Sequence, residues 1–478
     1  MPGSSLLWEA FAARTLGLGD AVAVEAPSGG LRFAELWRKA EHLAAGFRAA
    51  GVPESGVAGL SLGNSALFPA TFLALCRLDA TVALLPPQYG RSELGAIVRG
   101  LGLSSIVAEA DAAGRLAAAI PVESASPAGE LSVVRPEAPS GPATTRDDEV
   151  LLKFSSGSTA EPKGIALRAA NVLAEVENVT TTLELGAGDR IYAGVPLFHS
   201  YGFDLGVLPM LYAGTTLRIE GAFVPRRTMR ALASGAAAFL GVPAQYRSFL
   251  AARLDESPDL SNARWLLSCT APLAPETVTE FLERFGVPIC QHYGSSETGA
   301  VTNHLPAEVR GRPASVGRPL SGVSVEVDAE GEIVVSSRAV ASRYVLGAPE
   351  GDSPLCDGVF RTGDLGGLDD DGFLTVLGRR DAMINVGGLK VSPAEVAATL
   401  ERHPAVGEAA VLGFPDGRDE EVVYAVVSLT GPADEGDLLA FCRDSLAEHK
   451  VPRRIEIRDS LPRTATGKVR LGVDDFHA

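Results

Sequence analysis

The sequence predicts an α/β protein with a large N-terminal domain of mixed or parallel sheets, a β-rich subdomain and a small C-terminal α+β domain. Strand-like and helix-like segments alternate over residues 1–330, which is typical of βαβ units. Short alternating strands follow at about 322–377 and indicate the β-rich subdomain. Residues 381–478 have the length of a separate compact domain. We therefore predict one domain at 1–380 and a second at 381–478.

The first 150 residues alternate most clearly. We predict helices at 31–50, 66–78 and 92–101, and strands at 57–62, 80–85 and 105–107. The uncharged run 57–76 contains Asn64 and Pro69, so a strand, a turn and a buried helix fit it better than a membrane span. Residues 121–147 are rich in Pro, Ser and Ala and are expected to form a surface connection.

Several predicted strands of the middle region end in polar or aromatic residues. These strands lie at 191–195, 237–242, 265–268 and 288–291. A helix between Pro275 and Gly286 separates the last two, since proline favours a helix start and glycine a helix end. In open α/β sheets, ligands bind at the carboxyl ends of the strands. The sequence therefore predicts a ligand site at these strand ends.

Composition excludes some classes of partner. The 478 residues include 42 Lys and Arg against 59 Asp and Glu, a net charge of −17. Such an acidic surface repels nucleic acid and anionic lipid. The five cysteines form no Cys-x-x-Cys pair, which indicates reduced thiols in a cytoplasmic protein and neither a disulfide framework nor a zinc site. The N-terminus has no basic start, so no signal peptide is expected.

One polar loop, residues 154–164, has the composition of a phosphate cradle. Its glycines allow backbone N–H groups to turn inward, its hydroxyls add donors, and Lys163 adds positive charge. It is not a Walker A loop, because no Gly-Lys-Ser/Thr sequence ends it. A strand at 150–152 leads into the loop, and a helix is expected from about Leu167. A plain polar surface loop is the alternative.

Five further motifs follow this loop in order: Pro196–Gly202, Gln291–Glu297, Arg361–Asp364, Gly378–Gly388 and Pro462–Lys468. Together the six motifs resemble the superfamily of acyl-CoA synthetases, peptide-synthetase adenylation domains and luciferases, over nearly the whole chain. The closest resemblance is to acid–CoA ligases. It implies activation of a carboxylic acid by ATP as acyl-AMP, with release of pyrophosphate, and transfer of the acyl group to CoA.

The resemblance implies a role for each nucleotide-binding position. Tyr293 would stack on adenine, Asp364 would accept hydrogen bonds from the ribose hydroxyls, and Glu297 with Thr159 would hold Mg²⁺, which prefers oxygen ligands. The implied ATP-binding residues are Ser155, Ser156, Gly157, Ser158, Thr159, Lys163, Thr270, Ala271, Gln291, Tyr293, Gly294, Ser296, Asp364, Arg379 and Lys390.

The resemblance also implies that the C-terminal domain is mobile. Asp381 matches the hinge about which this domain would rotate. One orientation presents the catalytic Lys468 to the carboxylate and the α-phosphate. The other presents Gly387 and Gly388 to the pantetheine arm of CoA, where glycine permits close backbone approach. A simple hairpin turn is the alternative for the two glycines.

The acid pocket is expected near His199, Tyr201, Gly241 and Thr270. Amino-acid-activating domains carry an aspartate near the place of His199, so an aryl or short-to-medium apolar acid is favoured over an α-amino acid. Asp204 remains a rival partner for an ammonium group. The chain departs from the family pattern at Ala160, where glycine is usual, and at Ser296, where threonine is usual.

Three alternatives to an acid–CoA ligase remain. The acyl or amino-acyl group could be loaded onto the phosphopantetheine of a carrier protein instead of CoA. A nucleotide-binding relic without activity is disfavoured, because Lys468, Glu297 and Asp364 are all present. A light-emitting oxidase has no positive support. The sequence leaves the identity of the acid and the oligomeric state open.

Overall fold

The computed structural model describes residues 3–463 and residue 469, with gaps in the description at 28, 138–144, 147, 157–161, 253–257, 349–352, 387–388 and 416–420. Its α-helices are α1 (Gly3–Thr15), α2 (Phe33–Ala49), α3 (Leu67–Arg77), α4 (Arg91–Leu101), α5 (Ala113–Ala119), α6 (Ala169–Thr182), α7 (Ser200–Gly202), α8 (Leu208–Ala213), α9 (Pro225–Ala233), α10 (Pro243–Ala251), α11 (Pro275–Phe285), α12 (Pro393–Glu401) and α13 (Glu435–Ser445). A π-helix, Phe203–Val207, joins α7 to α8.

The strands are β1 (Val22–Glu25), β2 (Leu31–Arg32), β3 (Val57–Ser61), β4 (Thr81–Leu84), β5 (Ser105–Glu109), β6 (Val122–Ala128), β7 (Leu131–Pro136), β8 (Glu149–Ser156), β9 (Pro162–Arg168), β10 (Arg190–Ala193), β11 (Thr216–Ile219), β12 (Ala238–Gly241), β13 (Trp265–Ser268), β14 (Ile289–Ser295), β15 (Gly299–Asn303), β16 (Arg318–Pro319), β17 (Val323–Val327), β18 (Glu332–Ser337), β19 (Arg343–Leu346), β20 (Leu355–Cys356), β21 (Val359–Leu368), β22 (Leu374–Arg379), β23 (Ile384–Val386), β24 (Leu389–Val391), β25 (Val406–Pro415), β26 (Glu421–Leu429) and β27 (Arg454–Arg458).

Two large mixed sheets form the N-terminal part, as the alternating pattern predicts. One has the order β16-β15-β14-β13-β12-β10-β11-β1-β2. Its six central strands run parallel, namely β14, β13, β12, β10, β11 and β1. The other has the order β19-β9-β8-β4-β3-β5-β7-β6, with β8, β4, β3 and β5 parallel. Antiparallel strands complete both edges. The predicted α/β class with mixed sheets is confirmed.

The uncharged run at 57–76 forms β3 and most of α3, as predicted. From Phe68 to Cys76 the residues of α3 are all buried, so the helix is a core element. Within the part of the chain that the structure describes, no helix combines the length and the apolar character needed to cross a bilayer.

The segment after the phosphate loop is a strand, so the helix expected from Leu167 is wrong at its start. β8 and β9 pair antiparallel around the loop, and α6 begins only at Ala169. Ile165, Ala166 and Leu167 are almost completely buried, because β9 lies between β8 and β19. A short apolar run of this kind suits a strand that is covered on both faces.

Residues 121–147 contain more structure than the expected surface connection. The hairpin β6–β7 occupies 122–136 and extends the second sheet beyond β5. Val133 and Val134 are fully buried. Exposed and half-buried residues alternate along β6, as expected for an edge strand, and this polar alternation concealed the hairpin.

The last third of the chain follows the predicted pattern. β17, β18, β20, β21 and β22 form a separate antiparallel sheet that covers the predicted β-rich subdomain. β25 and β26 form the expected hairpin, β27 joins them in parallel, and α12 and α13 complete a separate core. The Ser392 side chain accepts from the Glu395 N–H and caps α12. The boundary between residues 380 and 381 stays a prediction.

Candidate functional site

The site lies at the carboxyl ends of three neighbouring parallel strands, β12, β13 and β14. Gly241 and Ser268, the last residues of β12 and β13, pair with each other, and Ser268 also pairs with Gln291 within β14. The chain leaves β13 through Thr270, which has a left-handed backbone with φ of 76°. Such a conformation is unfavourable for a β-branched residue, and strained residues of this kind cluster at functional sites. This edge is where the sequence predicted a ligand site.

The residues predicted to bind adenine and ribose are in direct contact. The Tyr293 hydroxyl donates to Oδ2 of Asp364 at 2.6 Å, and Arg379 lies 3.6 Å from Oδ1 of the same carboxylate. Arg379 also donates to the carbonyl oxygen of Thr362 at 3.1 Å. Burial and the Asp364 charge raise the pKa of Tyr293 well above its usual value, so this hydroxyl remains a donor.

Glu297, the predicted metal ligand, is held from two sides. Its Oε1 accepts a hydrogen bond from the Tyr344 hydroxyl at 3.0 Å, and its backbone oxygen accepts from the Ala341 N–H at 2.8 Å. Burial and the Glu297 charge raise the pKa of Tyr344, so the hydroxyl keeps its proton. Tyr344 belongs to β19, which pairs with β9 of the phosphate-loop hairpin. Glu297 is thereby connected to the hairpin that carries the loop.

The segment that carries the acid-pocket candidates is held by Asn64. The Asn64 amide donates to the Val195 carbonyl at 3.0 Å and accepts from the Leu197 N–H at 2.9 Å. His199 then caps α7, where its Nδ1 accepts from the Tyr201 N–H at 3.3 Å. Asn64 follows β3 in the second sheet, so it connects the two large sheets at the site.

One hydrogen bond joins the acid segment to the nucleotide segment. The hydroxyl oxygens of Ser200 and Ser296 are 2.8 Å apart. Ser200 begins α7, and Ser296 follows β14 immediately before Glu297. The sequence predicted Ser296 as an ATP-binding residue but gave no signal for its contact with Ser200, because the two residues are far apart in the chain.

His292 contacts Tyr201, one of the acid-pocket candidates, and was missed by sequence reasoning. Its ring stacks on that of Tyr201 with centroids 5.9 Å apart and an interplanar angle of 21°. Burial lowers the pKa of His292 to about 4, so the imidazole is neutral at neutral pH. Burial also raises the pKa of Tyr201 well above its usual value. The only available signal was its place within the Gln291–Glu297 motif.

Gln291 and Gly241 are positioned by neighbours that the sequence did not indicate. The Gln291 amide donates to the carbonyls of Pro313 and Ser315 at 2.7 and 2.9 Å. A Cβ atom at Gly241 would lie 2.5 Å from the Phe239 ring and 3.0 Å from the Tyr246 ring, so a larger residue would not fit there. The predicted role of Gln291 toward ATP and that of Gly241 toward the acid stay predictions.

Asp204 has a partner other than the one considered from the sequence. Its carboxylate binds the Lys153 ammonium at 2.6 Å, and the two side chains are only 2–3% exposed. A carboxylate buried and paired in this way is not free to receive the ammonium group of an amino acid. The alternative that assigns Asp204 to substrate ammonium is therefore wrong.

The predicted hinge residue interacts with Arg379. The Arg379 Nε lies 3.2 Å from Oδ1 of Asp381. Partial burial alone would raise the pKa of Asp381, but the Arg379 guanidinium, with a contribution from Lys163, holds it below its usual value. Asp381 is therefore a carboxylate at neutral pH and connects the ribose-binding residues to the start of the C-terminal part.

Several predicted residues lie outside the described residues. The structure describes Ser156 and Lys390 only as members of β8 and β24. Ser155 is described, and its backbone pairs with that of Lys163 at the base of the phosphate loop. The roles of these residues stay predictions. The remaining ones, outside the description, are Gly157, Ser158, Thr159, Gly387, Gly388 and Lys468.

Curated relatives match the chain over nearly its full length. Feruloyl-CoA synthase of an Amycolatopsis species is 36% identical over 479 residues, covering 95% of each chain. Indoleacetate–CoA ligase of Aromatoleum aromaticum is 33% identical and covers 94% of this chain and 93% of its own. Oxalate–CoA ligase of Arabidopsis thaliana is 32% identical, with 88% coverage of both. The relatives confirm the predicted likeness to acid–CoA ligases.

Solved structures have the same architecture. ATP-bound MatB from Rhodopseudomonas palustris is 25% identical and superimposes with a TM-score of 0.83 over 98% of this chain and 97% of its own. The amide bond synthetase McbA from Marinactinospora thermotolerans is 26% identical, with a TM-score of 0.82 over 98% of each chain.

Two family models cover most of the sequence. The AMP-binding enzyme model matches residues 11–345, and the AMP-binding enzyme C-terminal domain model matches residues 395–468. The first contains the phosphate loop, the acid segment and Glu297, and the second ends at Lys468. The chain therefore belongs to the AMP-binding enzyme family.

Proposed function

We propose that this protein is an AMP-forming acid–CoA ligase, which joins a carboxylic acid to AMP and then transfers the acyl group to CoA. The observation that carries the proposal is the Ser200–Ser296 hydrogen bond of 2.8 Å. It places the acid segment beside the segment that contains Tyr293 and Glu297. A carboxylate and the α-phosphate of ATP would therefore be held next to each other.

The reaction joins two anions, so positioning and positive charge supply most of the catalysis. The Asp364 carboxylate would accept hydrogen bonds from the two ribose hydroxyls. Arg379 and the Tyr293 hydroxyl hold the Asp364 carboxylate in position. Lys163 stands at the base of the phosphate loop, where the departing pyrophosphate would lie. The Ser296 hydroxyl is the proposed contact with the α-phosphate.

The described part of the site fits a Mg²⁺ ion brought in with ATP. Magnesium is usually held by one or two carboxylates together with substrate phosphates. Glu297 supplies one carboxylate, and Tyr344 fixes its orientation. Among the described residues, no group of three or more His, Cys, Asp and Glu side chains forms a metal cage. Bound Mg²⁺ would neutralise phosphate charge, and Thr159 is the second predicted ligand.

Lys468 is the proposed catalytic cation for adenylation, and Gly387 and Gly388 are the proposed contact with CoA. The support is the motif at 462–468 and the C-terminal family model, which extends to residue 468. The Asp381–Arg379 contact lies where the proposed hinge connects the two domains. Rotation about this hinge would exchange Lys468 for the two glycines.

For the acid, we propose an aryl or short-to-medium apolar carboxylic acid. The pocket candidates Tyr201 and His292 present uncharged rings, and Asp204 is already paired with Lys153. An α-ammonium group would therefore find no carboxylate at these positions. Two relatives are named for acids with aromatic rings, feruloyl and indoleacetate, while a third is named for oxalate.

CoA is the proposed acceptor, and a carrier protein is the alternative. The relatives that cover the chain are named for CoA, and none of those quoted is named for a carrier. We also propose a cytoplasmic location, because none of the five cysteines forms a disulfide bond and four of them are buried.

The direct experiment is a panel of carboxylic acids assayed for ATP-dependent pyrophosphate release with and without CoA. We expect the highest kcat/KM for an aryl or apolar acid and a stoichiometric acyl-CoA product. Pyrophosphate release without acyl-CoA, combined with labelling of a carrier protein, would favour the carrier alternative. Absence of pyrophosphate release with every acid would contradict the proposed function.

A further inference from the structure

Three ionisable side chains are buried beside the site and have no role in the chemistry described above. The Lys153 ammonium lies 2.7 and 2.6 Å from the two carboxylate oxygens of Asp204. Glu175 is 1% exposed, and its Oε1 accepts from the Ala300 N–H at 2.8 Å. Its Oε2 has no hydrogen-bond partner within the described part of the chain. These three residues are called the buried trio below.

Each member of the trio is attached to a different segment of the site. Lys153 lies in β8, directly before the residues that enter the phosphate loop. Asp204 lies in the π-helix, one helical turn after Ser200, which bonds to Ser296. π-Helical turns are frequent at functional sites. The trio therefore contacts both β8, called the phosphate strand below, and the acid segment, which is the chain from Pro196 to the π-helix.

Glu175 connects α6 to the turn that carries Ser296 and Glu297. This turn ends at Gly299, whose φ is 68°, and a Cβ atom there would lie 2.1 Å from Oε2 of Glu175. The carboxyl group thus packs directly against the Gly299 backbone while it receives the Ala300 N–H. The Glu175 carboxyl group therefore fixes the end of the turn by packing and by one hydrogen bond.

The trio contains two carboxyl groups and one ammonium. A net negative charge in a buried place is costly, so one carboxyl group should keep its proton. Burial raises the pKa of Glu175 to about 8, and the Asp204 charge adds to this, while Lys153 and the Ala300 N–H oppose it. Within the described part of the chain, the ionisable groups that interact electrostatically with Glu175 are Asp204 of the π-helix and Lys153 of β8.

We propose that Lys153, Asp204 and Glu175 are positioning residues that hold the phosphate strand, the acid segment and the 296–300 turn in one arrangement. The proposal rests on the proposed function for the identity of those segments. Apolar residues of similar volume would serve the stability of a buried core as well as an ion pair does. Charged groups with defined partners restrict the segments to one geometry, which the site requires.

The experiment removes the ion pair without leaving a lone buried charge. The double variant Lys153→Met/Asp204→Leu is compared with Arg190→Met/Glu25→Leu, a control pair 3.1 Å apart that joins β10 to β1 away from these segments. Affinity for AMP is measured by calorimetry, the acid KM by pyrophosphate exchange and folding by thermal melting. We expect a cooperative melt for both variants. The variant Lys153→Met/Asp204→Leu, called the trio variant below, should bind AMP at least fivefold more weakly and have an acid KM at least fivefold higher. In the control variant, the AMP affinity and the acid KM should each change less than twofold.

A folded trio variant with unchanged AMP affinity and acid KM would overturn the proposal. If that variant does not fold, Glu175→Gln decides, because glutamine keeps the shape and the acceptor but does not ionise. The native protein should lose AMP affinity several-fold between pH 7 and pH 9. In Glu175→Gln, the AMP affinities at pH 7 and pH 9 should differ less than twofold. An equal loss in both proteins would refute the proposal.

AMP binding needs neither the acid nor CoA. Failure of acyl-CoA synthesis with every acid tested would therefore refute the proposed function and leave the AMP result of the trio intact. Conversely, unchanged AMP binding in the folded trio variant would refute the positioning role while acyl-CoA synthesis continued.

Discussion

Tyr293 donates a hydrogen bond of 2.6 Å to Asp364, although 71 residues separate them in the chain. This bond joins the end of β14 to β21 of the β-rich subdomain. The adenine-binding and ribose-binding residues are thus connected before a nucleotide arrives. Such preorganisation reduces the loss of conformational entropy that accompanies nucleotide binding.

Replacing Tyr293 with phenylalanine should weaken nucleotide binding. The change removes a hydrogen bond to a charged partner, worth about 1.5–3 kcal/mol. We expect kcat/KM for ATP to fall about 10- to 100-fold in steady-state kinetics. Tyr192→Phe is the matched control, because Tyr192 is also buried and its hydroxyl lies 3.3 Å from Thr228 in the core. Equal ATP kinetics in the two variants would refute the role of the Tyr293–Asp364 bond.

Tyr344→Phe should change the dependence on Mg²⁺. The hydroxyl fixes the Glu297 carboxylate, and removal of such a partner lowers metal affinity about tenfold or more. We expect a higher Mg²⁺ concentration at half-maximal pyrophosphate exchange, with little change in thermal stability. Tyr212→Phe, whose hydroxyl bonds to Arg14 at the surface, should behave as the native protein does. An unaltered Mg²⁺ dependence in Tyr344→Phe would count against Glu297 as the metal ligand.

Lys468→Ala tests the two half-reactions separately. Loss of the cation beside the carboxylate should lower pyrophosphate exchange about 10²- to 10³-fold. Thioester formation from preformed acyl-adenylate should continue, because that step would use the other orientation of the C-terminal domain. Lys450→Ala is the control, since Lys450 pairs with Glu395 within that domain. Full exchange activity in Lys468→Ala would remove this lysine from the proposed mechanism.

His292 should make the protein sensitive to acid. Its pKa is lowered from 6.5 to about 4 in the folded state, so its contribution to stability is complete above pH 6.5 and is lost as pH falls through 4. The difference corresponds to roughly 3 kcal/mol. In denaturant titrations, His292→Gln should lose less stability than the native protein over this range. Burial also lowers the pKa of His304 to about 4, so in His292→Gln the slope of the free energy of unfolding against pH should decrease without vanishing. An unchanged slope would contradict the neutral, buried state of His292.

Thr270→Gly separates strain from function. Glycine removes the cost of a left-handed β-branched residue, about 1–2 kcal/mol. The free energy of unfolding should therefore rise, while the KM for ATP increases because the loop after β13 gains freedom. Ser55→Gly is the control, since Ser55 also has a positive φ, 57°, and lies away from the site. Stabilisation without any change in KM would show that the Thr270 conformation has no role in nucleotide binding.

The sequence was most informative where function is written in local motifs. Tyr293, Glu297 and Asp364 were predicted because each stands in a short ordered pattern, and the structure brings all three to one edge. The strand β9 was missed because a short apolar run does not distinguish strand from helix, and its pairing with β8 and β19 decides.

Contacts between distant charges were beyond sequence reasoning. Lys153 lies between the apolar residues Leu152 and Phe154 of β8, and its partner Asp204 is 51 residues away in a helical segment. An isolated lysine or aspartate is normally exposed, so burial of this pair follows only from the tertiary arrangement. The Tyr201–His292 stack was hidden for the same reason.

The strand β19 has a consequence for biosynthesis. It pairs with the edge of β9, and the ribosome makes it about 180 residues later. A nascent or truncated chain that ends before Arg343 would therefore display the backbone N–H and C=O groups of β9 as an open sheet edge. Such edges recruit other chains and promote aggregation. We expect the hairpin that carries the phosphate loop to remain a target for chaperones until β19 has left the ribosome.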